Sequence, residues 1–320
     1  LRMESLSFAS DTSSVDRVCF TLGTDNTAYI DSLYMYMGSS LGEGLIDSAN
    51  VIDVRDYGAV GDGVTDDTIA IQRALDDAAF TGKTVLLEDG VFLTSTIWVK
   101  SDTTLHIAPS AKILGIMEKN RYPLVESCEG LINYRQIGRG LVLTENASNV
   151  RIEGGGTIDG NGFYGYKVND PATSRRLQDA RPCVILSILS ENVTISGVNL
   201  VNSAFWTLVP MESRNVTIRN VNVNSMNTPN RDGIDPCDVI NLTIENCNIL
   251  AGDDGLCFKS SSLFGCDNID VRNITIQSRS NGIKFGSDTY GSLKNLYVSD
   301  VTMKNVVKSG ITMRLLTGRR

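Results

Sequence analysis

The feature that most constrains this chain is a short segment that returns at nearly constant spacing. Asn149-Val-Arg-Ile152, Asn192-Val-Thr-Ile195, Asn215-Val-Thr-Ile218, Asn241-Leu-Thr-Ile244, Asn268-Ile-Asp-Val271 and Asn295-Leu-Tyr-Val298 share one pattern, and from the second onward the steps are 23, 26, 27 and 27 residues. Each segment alternates apolar and polar positions, the period of a strand with one buried face. A second strand-like run follows each from Asn192 onward, among them Gly197-Val-Asn-Leu200, Asn220-Val-Asn-Val223 and Asn273-Ile-Thr-Ile276. Short strands and tight turns in a repeat of this length, without helical period, predict a parallel β-helix with one repeat per coil. A single coil cannot bury its apolar side chains, so stacking must supply the core. The LxxLxL pattern of a leucine-rich repeat is absent. The Asn heading each coil suits a turn, where its side chain bonds nearby backbone. Asn192, Asn215, Asn241 and Asn273 also read as glycosylation sequons.

The chain divides near residue 50. Residues 1–50 carry strand-like runs (Val18–Leu22, Ala28–Tyr34) without the repeat, and the Gly- and Ser-rich stretch 38–50 reads as a linker. This part is expected to be the tail of a preceding β-rich domain, with a β-helix domain over 51–320. Both ends read as cut, so the chain is taken as a fragment. Asp66-Asp67 followed by Ile69, Ile71, Ala74, Leu75 and Ala78 predicts a helix whose opening acids suit its dipole and which caps the end of the β-helix.

Composition narrows the chemistry. A net charge of −8 argues against a nucleic-acid partner. No apolar stretch approaches the roughly 20 residues of a membrane span. The single histidine, His106, lies in a strand-like run and reads as structural, so a Ser-His-Asp triad or His-rich metal site has little to draw on. The seven cysteines form no CxxC pair and read as small buried hydrophobes, although a Cys257–Cys266 disulfide is open. Carboxylates are left as the catalytic material.

A third run in each late coil supplies them. Asp232-Gly-Ile-Asp-Pro-Cys237, Asp254-Gly-Leu-Cys-Phe-Lys259, Asn281-Gly-Ile-Lys-Phe-Gly286 and Ser309-Gly-Ile-Thr-Met-Arg314 share one phase and should stack as a ladder. Alternation predicts Ile234, Leu256, Ile283 and Ile311 in the core. It puts Asp235, Lys259, Lys284, Thr312 and Arg314 on one outer strip. Asp232, Asp253 and Asp254 then converge beside cations. Crowding should raise one carboxyl so that it stays protonated while another acts as base. Two carboxyls with a water between them make an inverting glycosidase site. A row of turn aspartates or a calcium site are the other readings. Arg231 is a sugar contact or a turn residue, and Trp206 and Tyr164 either stack sugars or pack.

These residues resemble a family. The segment from Tyr57-Gly-Ala-Val-Gly to Asp66-Asp67 is similar to the start of pectin-degrading β-helix enzymes. Asn230-Arg-Asp-Gly233 with Gly252-Asp-Asp-Gly255 resembles family 28 glycoside hydrolases, the polygalacturonase group, over about residues 51–320. The resemblance implies a right-handed parallel β-helix that hydrolyses galacturonan-type polymers by inversion, with Asp253 as general acid and Asp232 and Asp254 activating the water. Beside these three, the strip and its neighbours are expected to contact the sugar through Asn230, Asp235, Lys259, Asn281, Lys284 and Arg314. The family's Gly-His-Gly corresponds to Ser280-Asn-Gly282, so Asn281 stands where its histidine does, and its Arg-x-Lys corresponds to Thr312-Met-Arg314. Lys284 adds a cation. A rhamnogalacturonan-type linkage is therefore equally open.

The expectation is thus a secreted or periplasmic monomer acting on an acidic plant polysaccharide, with no organic cofactor and no metal. The alternatives are a calcium-dependent polysaccharide lyase on the same fold and a noncatalytic carbohydrate-binding β-helix.

Overall fold

A computed structural model describes residues 50–125, 138–162, 181–226, 230–289 and 291–313. The expected domain boundary at residue 50 and the residues before it lie outside this set.

Every strand pair in it is parallel, and the strands wind as a right-handed β-helix. One face carries the repeated Asn-headed segments. Val150, Val193, Val216, Leu242, Ile269 and Leu296 pair in sequence from coil to coil, and Ile152, Ile195, Ile218, Ile244, Val271 and Val298 pair two positions on. The short runs after them form a second face. The long strands Ile240–Ala251 and Cys266–Ser278 pass from one face to the other, which joins them in one sheet of 15 strands. Apolar side chains of all faces meet in one continuous core.

The turn asparagines form their own ladder. Asn149, Asn192, Asn215, Asn241, Asn268 and Asn295 all have φ between +50° and +58°. Asn tolerates this left-handed region better than most residues. Their side-chain amides join coil to coil, Asn192 Nδ2 donating to Asn149 Oδ1 at 3.0 Å, Asn215 to Asn192 at 3.0 Å and Asn241 to Asn215 at 2.8 Å. Asn273 Nδ2 likewise donates to Asn246 Oδ1 at 2.7 Å. The nitrogen a glycan would take is thus already in use, which favours the turn role of these sequons.

The third face bears the candidate site. It runs through Ile97–Trp98, Gly140–Glu145, Cys183–Ile188, Leu208–Met211, the bridged residues Ile234 and Cys237, and then Leu256–Ser260, Asn281–Thr289 and Ser309–Met313. Its inward ladder is Ile97, Val142, Ile185, Leu208, Ile234, Leu256, Ile283 and Ile311. The register is as expected, but Ile311 is 67% exposed whereas Ile283 is 2% exposed. No coil stacks beyond Ile311 among the described residues, so alternation points it inward without covering it. Glycine precedes Ile234, Leu256 and Ile283 for a steric reason. A Cβ on Gly233 would lie 2.4 Å from Ile249 Cγ2 and from the Gly255 carbonyl, and one on Gly255 would lie 2.4 Å from Ile276 Cγ2.

The predicted helix forms at Thr68–Thr81 and buries Ile71, Ala74, Leu75 and Ala78 in the core of the first coil. Ile69 is 66% exposed, because it lies off the stripe that those four residues share. Of the two opening acids, Asp66 accepts from Thr68 N at 3.1 Å, while buried Asp67 turns back to the loop and accepts from Val60 N at 2.7 Å and Gly61 N at 3.1 Å. Cys237, Cys247, Cys257 and Cys266 are buried free thiols, so the Cys257–Cys266 disulfide does not form. His106 faces Glu153 on the first face, away from the site. No helix among the described residues is long and apolar enough to cross a membrane.

Candidate active site

The site is built where the chain enters successive strands of the third face. Ile234 bridges Leu256, and Gly233 N donates to the Asp254 carbonyl at 2.9 Å, which sets Asp232 beside Asp254 on the next coil. Gly255 N donates to the Asn281 carbonyl at 2.8 Å and brings in the coil after that. Carboxylate oxygens of Asp232 and Asp254 and the Cys257 sulfur lie within 4.8 Å of one another. Asp253 stands one residue before Asp254 and is half-buried. Its amide bonds the Arg231 carbonyl at 3.1 Å, so all three aspartates sit at one end of two adjacent coils.

The outer strip is more enclosed than alternation alone implies. Asp235 is 0% exposed and Lys259 3% exposed, so Asp235 is no sugar contact and Lys259 is not an open cationic surface. They form an ion pair, Lys259 Nζ to Asp235 Oδ1 at 2.6 Å. The same ammonium stands 2.9 Å from Cys257 Sγ, 3.8 Å from Asp232 Oδ2 and 4.0 Å from the ring centre of half-buried Trp206. Trp206 stacks on Phe205, whose ring carries the Arg181 guanidinium at 4.6 Å. Trp206 therefore covers Lys259.

Lys284 also turns inward. Its Nζ bonds Asp254 Oδ2 at 2.5 Å. Asn281 donates to Asp254 Oδ1 from Nδ2 at 2.6 Å and from its backbone amide at 3.2 Å. Thr312 Oγ1 donates to Asn281 Oδ1 at 3.0 Å, and Lys308 Nζ bonds Ser280 Oγ at 3.0 Å.

These surroundings push the carboxyls in opposite directions. Burial, then the neighbouring Asp235, raises Asp232 well above the usual carboxylate range, and Lys259 only partly offsets this. Burial raises Asp235 to about 6 against the pull of Lys259. Burial would also raise Asp254, but the hydrogen bonds from Lys284 and Asn281 outweigh it and hold that carboxyl below its usual range. Lys284 is raised in return, because its bond to Asp254 outweighs its own burial. Burial thus adds to the crowding expected of the aspartates, and the carboxyls that rise are Asp232 and Asp235.

Asn230 is exposed, with φ of +59°, and its Oδ1 accepts from Arg181 Nη2 at 3.2 Å. Arg231 is fully buried and donates to the Gly162 carbonyl, which makes it a scaffold residue. Its neighbours there include Arg181, and burial lowers its guanidinium to about 10. Arg314 and Tyr164 lie outside the described residues. Arg181, Cys257 and Ser280 adjoin the site without having been expected there; only their positions in the stacked coils reveal them.

Asp232, Asp254 and Cys257 do not fit a calcium ion. Calcium takes about six to eight oxygen ligands. Here one of three donors is a thiol raised by burial, and Lys259 and Lys284 already supply the positive charge at 2.9 and 2.5 Å.

Residues 129–317 match glycosyl hydrolases family 28. A protein of Vitis vinifera described as "Probable polygalacturonase" is 30% identical over 295 residues, which cover 85% of this chain and 58% of that protein. An endo-polygalacturonase of Pectobacterium carotovorum subsp. carotovorum is 27% identical over 284 residues, covering 75% and 70%. The crystal structure of a hyperthermoactive exopolygalacturonase from Thermotoga maritima superposes with a TM-score of 0.67 at 27% identity, covering 81% of this chain and 69% of the other.

Proposed function

The chain belongs to glycosyl hydrolases family 28, and from that premise we propose that it hydrolyses glycosidic bonds of an acidic plant polysaccharide, of galacturonan or rhamnogalacturonan type, with inversion. The observation that carries this is the placement of Asp232 and Asp254 oxygens within 4.8 Å of each other, with Asp253 beside them. One water hydrogen-bonded to two oxygens at about 2.8 Å each spans such a gap. Asp253, half-buried and facing neither lysine in a hydrogen bond, is then the proton donor to the leaving oxygen, and the water attacks from the other side of the sugar. Asn230, exposed two residues before Asp232, and Arg314 are both proposed sugar contacts.

A polymer of this kind is met outside the cytoplasm, which supports a secreted or periplasmic protein; the β-helix domain over 51–320 and a monomeric state are part of the same proposal. Relatives described both as endo- and as exo-acting leave the mode of attack to experiment. The test is release of reducing ends from a panel of galacturonan and rhamnogalacturonan polymers, with ultraviolet absorbance and a chelator as controls. Reducing ends without absorbance, unaffected by chelation, support hydrolysis. An absorbing, chelator-sensitive product would make it a lyase, and binding without cleavage would make it a carbohydrate-binding β-helix.

A further inference from the structure

Asp254 and Asp232 approach each other closely, yet their surroundings are opposite in kind. Both oxygens of Asp254 are taken, Oδ2 by Lys284 at 2.5 Å and Oδ1 by the two nitrogens of Asn281 at 2.6 and 3.2 Å. The Asn281 amide is itself oriented, because Thr312 donates to its oxygen and so leaves Nδ2 facing Asp254. Three successive coils therefore hold one carboxylate. Asp232 has no such clamp. Its nearest cation, Lys259, stands at 3.8 Å, beyond hydrogen-bond reach, and is committed to Asp235 at 2.6 Å. Lys284 is often the residue type that binds an acidic sugar, but here its ammonium is spent on the protein's own carboxylate.

We infer that Lys284 is a positioning residue, holding Asp254 as a fixed carboxylate that orients the attacking water while Asp232 takes the water's proton. This rests on the hydrolase reading above. In the step, the water's O–H bond breaks toward Asp232 and its oxygen bonds to the anomeric carbon. The glycosidic C–O bond breaks, and the leaving oxygen takes the proton of Asp253. A bound, anionic Asp254 can accept a hydrogen bond from the water through a remaining lone pair, but its basicity is low. Asp232, raised by burial and by Asp235, is the stronger base once ionised. The charged groups facing the pair are Asp235 and Lys259 on the same face, Asp253 at the turn, Lys284 from the next coil, and Lys308 through Ser280.

The experiment compares the unmodified chain with Lys284→Met and Lys284→Arg on galacturonan oligomers, alongside carboxyl-carbon NMR titration of Asp254 without substrate. Lys284→Met should lower kcat about 10- to 100-fold by loosening the water, with KM changed less than about threefold. Loss of a nearby cation raises carboxyl pKa values, so the acidic limb of kcat/KM should move up by about one pH unit. Lys284→Arg should restore most of kcat and the original limb. In the NMR titration, Asp254 should start below the ordinary carboxylate range and rise in Lys284→Met. If Lys284→Met does not fold, Lys284→Gln is read the same way. An unchanged Asp254 titration overturns the inference, as does a large rise in KM with kcat and the pH limb unmoved, which would make Lys284 a sugar ligand. If the unmodified chain cleaves no oligomer while Asp254 still shifts, the hydrolase reading falls and the clamp on Asp254 stands.

Discussion

The third face of the β-helix uses one backbone phase for two purposes. In its early coils the outward ladder is Trp98, Leu143, Leu186 and Val209, and those side chains join a second apolar cluster with Ile188, Met211 and Phe205. In its late coils the same phase holds Asp235, Cys257, Lys284 and Thr312. The inward ladder is aliphatic throughout. A solenoid's fold therefore depends on what faces in, and the outward position of each coil is free to be core or chemistry. The late half buries charge that the early half never has to pair. Part of its cost is offset by two ion pairs, Asp235 with Lys259 and Asp254 with Lys284.

Moving a late residue into the early half should break the comparison most severely. Leu186→Asp buries a carboxylate in an apolar cluster with no cation prepared for it. It should cost more than about 4 kcal/mol or prevent folding; denaturant unfolding measures it, and a loss below about 1 kcal/mol would mean that the early face is not closed as described. Removing a late cation is next. Lys259→Met leaves buried Asp235 without its ion-pair partner and Asp232 without its nearest cation, and should cost about 3–5 kcal/mol at neutral pH. Because the remaining carboxyls escape that penalty by taking up protons, the loss should shrink as pH falls, and a pH-independent loss would speak against the pair as the cause. The inward ladder gives the smallest contrast. Ile283→Ala should cost about 2–5 kcal/mol, whereas Ile311→Ala should cost less than about 1 kcal/mol. Equal shifts in melting temperature would show that the last coil is covered after all.

The coil was legible in the sequence because each repeat restates the same alternation, and the pairing of Val193 with Val216 and Leu242 follows that pattern directly. The setting of Asp232 beside Asp254 was legible for the same reason. What covers a side chain was not. Alternation points Asp235 and Lys259 outward, but Trp206 lies in a turn outside the repeat, and only the fold brings it over Lys259. Alternation also could not show that Lys284 reaches back 30 positions in the chain to Asp254, since a lysine of that length can equally extend to solvent. Ile69 and Ile311 failed differently. Both are apolar residues at the margin of a buried pattern, and burial at a margin depends on the next element, not on the residue.

The central claim is that the late half of this face performs acid-assisted hydrolysis, with Asp253 giving the proton. Asp253→Asn keeps the size of the side chain and removes that donor. Its rate should be measured on the natural polymer and on an activated aryl glycoside whose leaving group needs little protonation. General acid catalysis contributes about 10²–10⁴-fold, so a loss of that order is predicted on the polymer and a much smaller one on the aryl glycoside. Full activity of Asp253→Asn on the polymer would contradict the account.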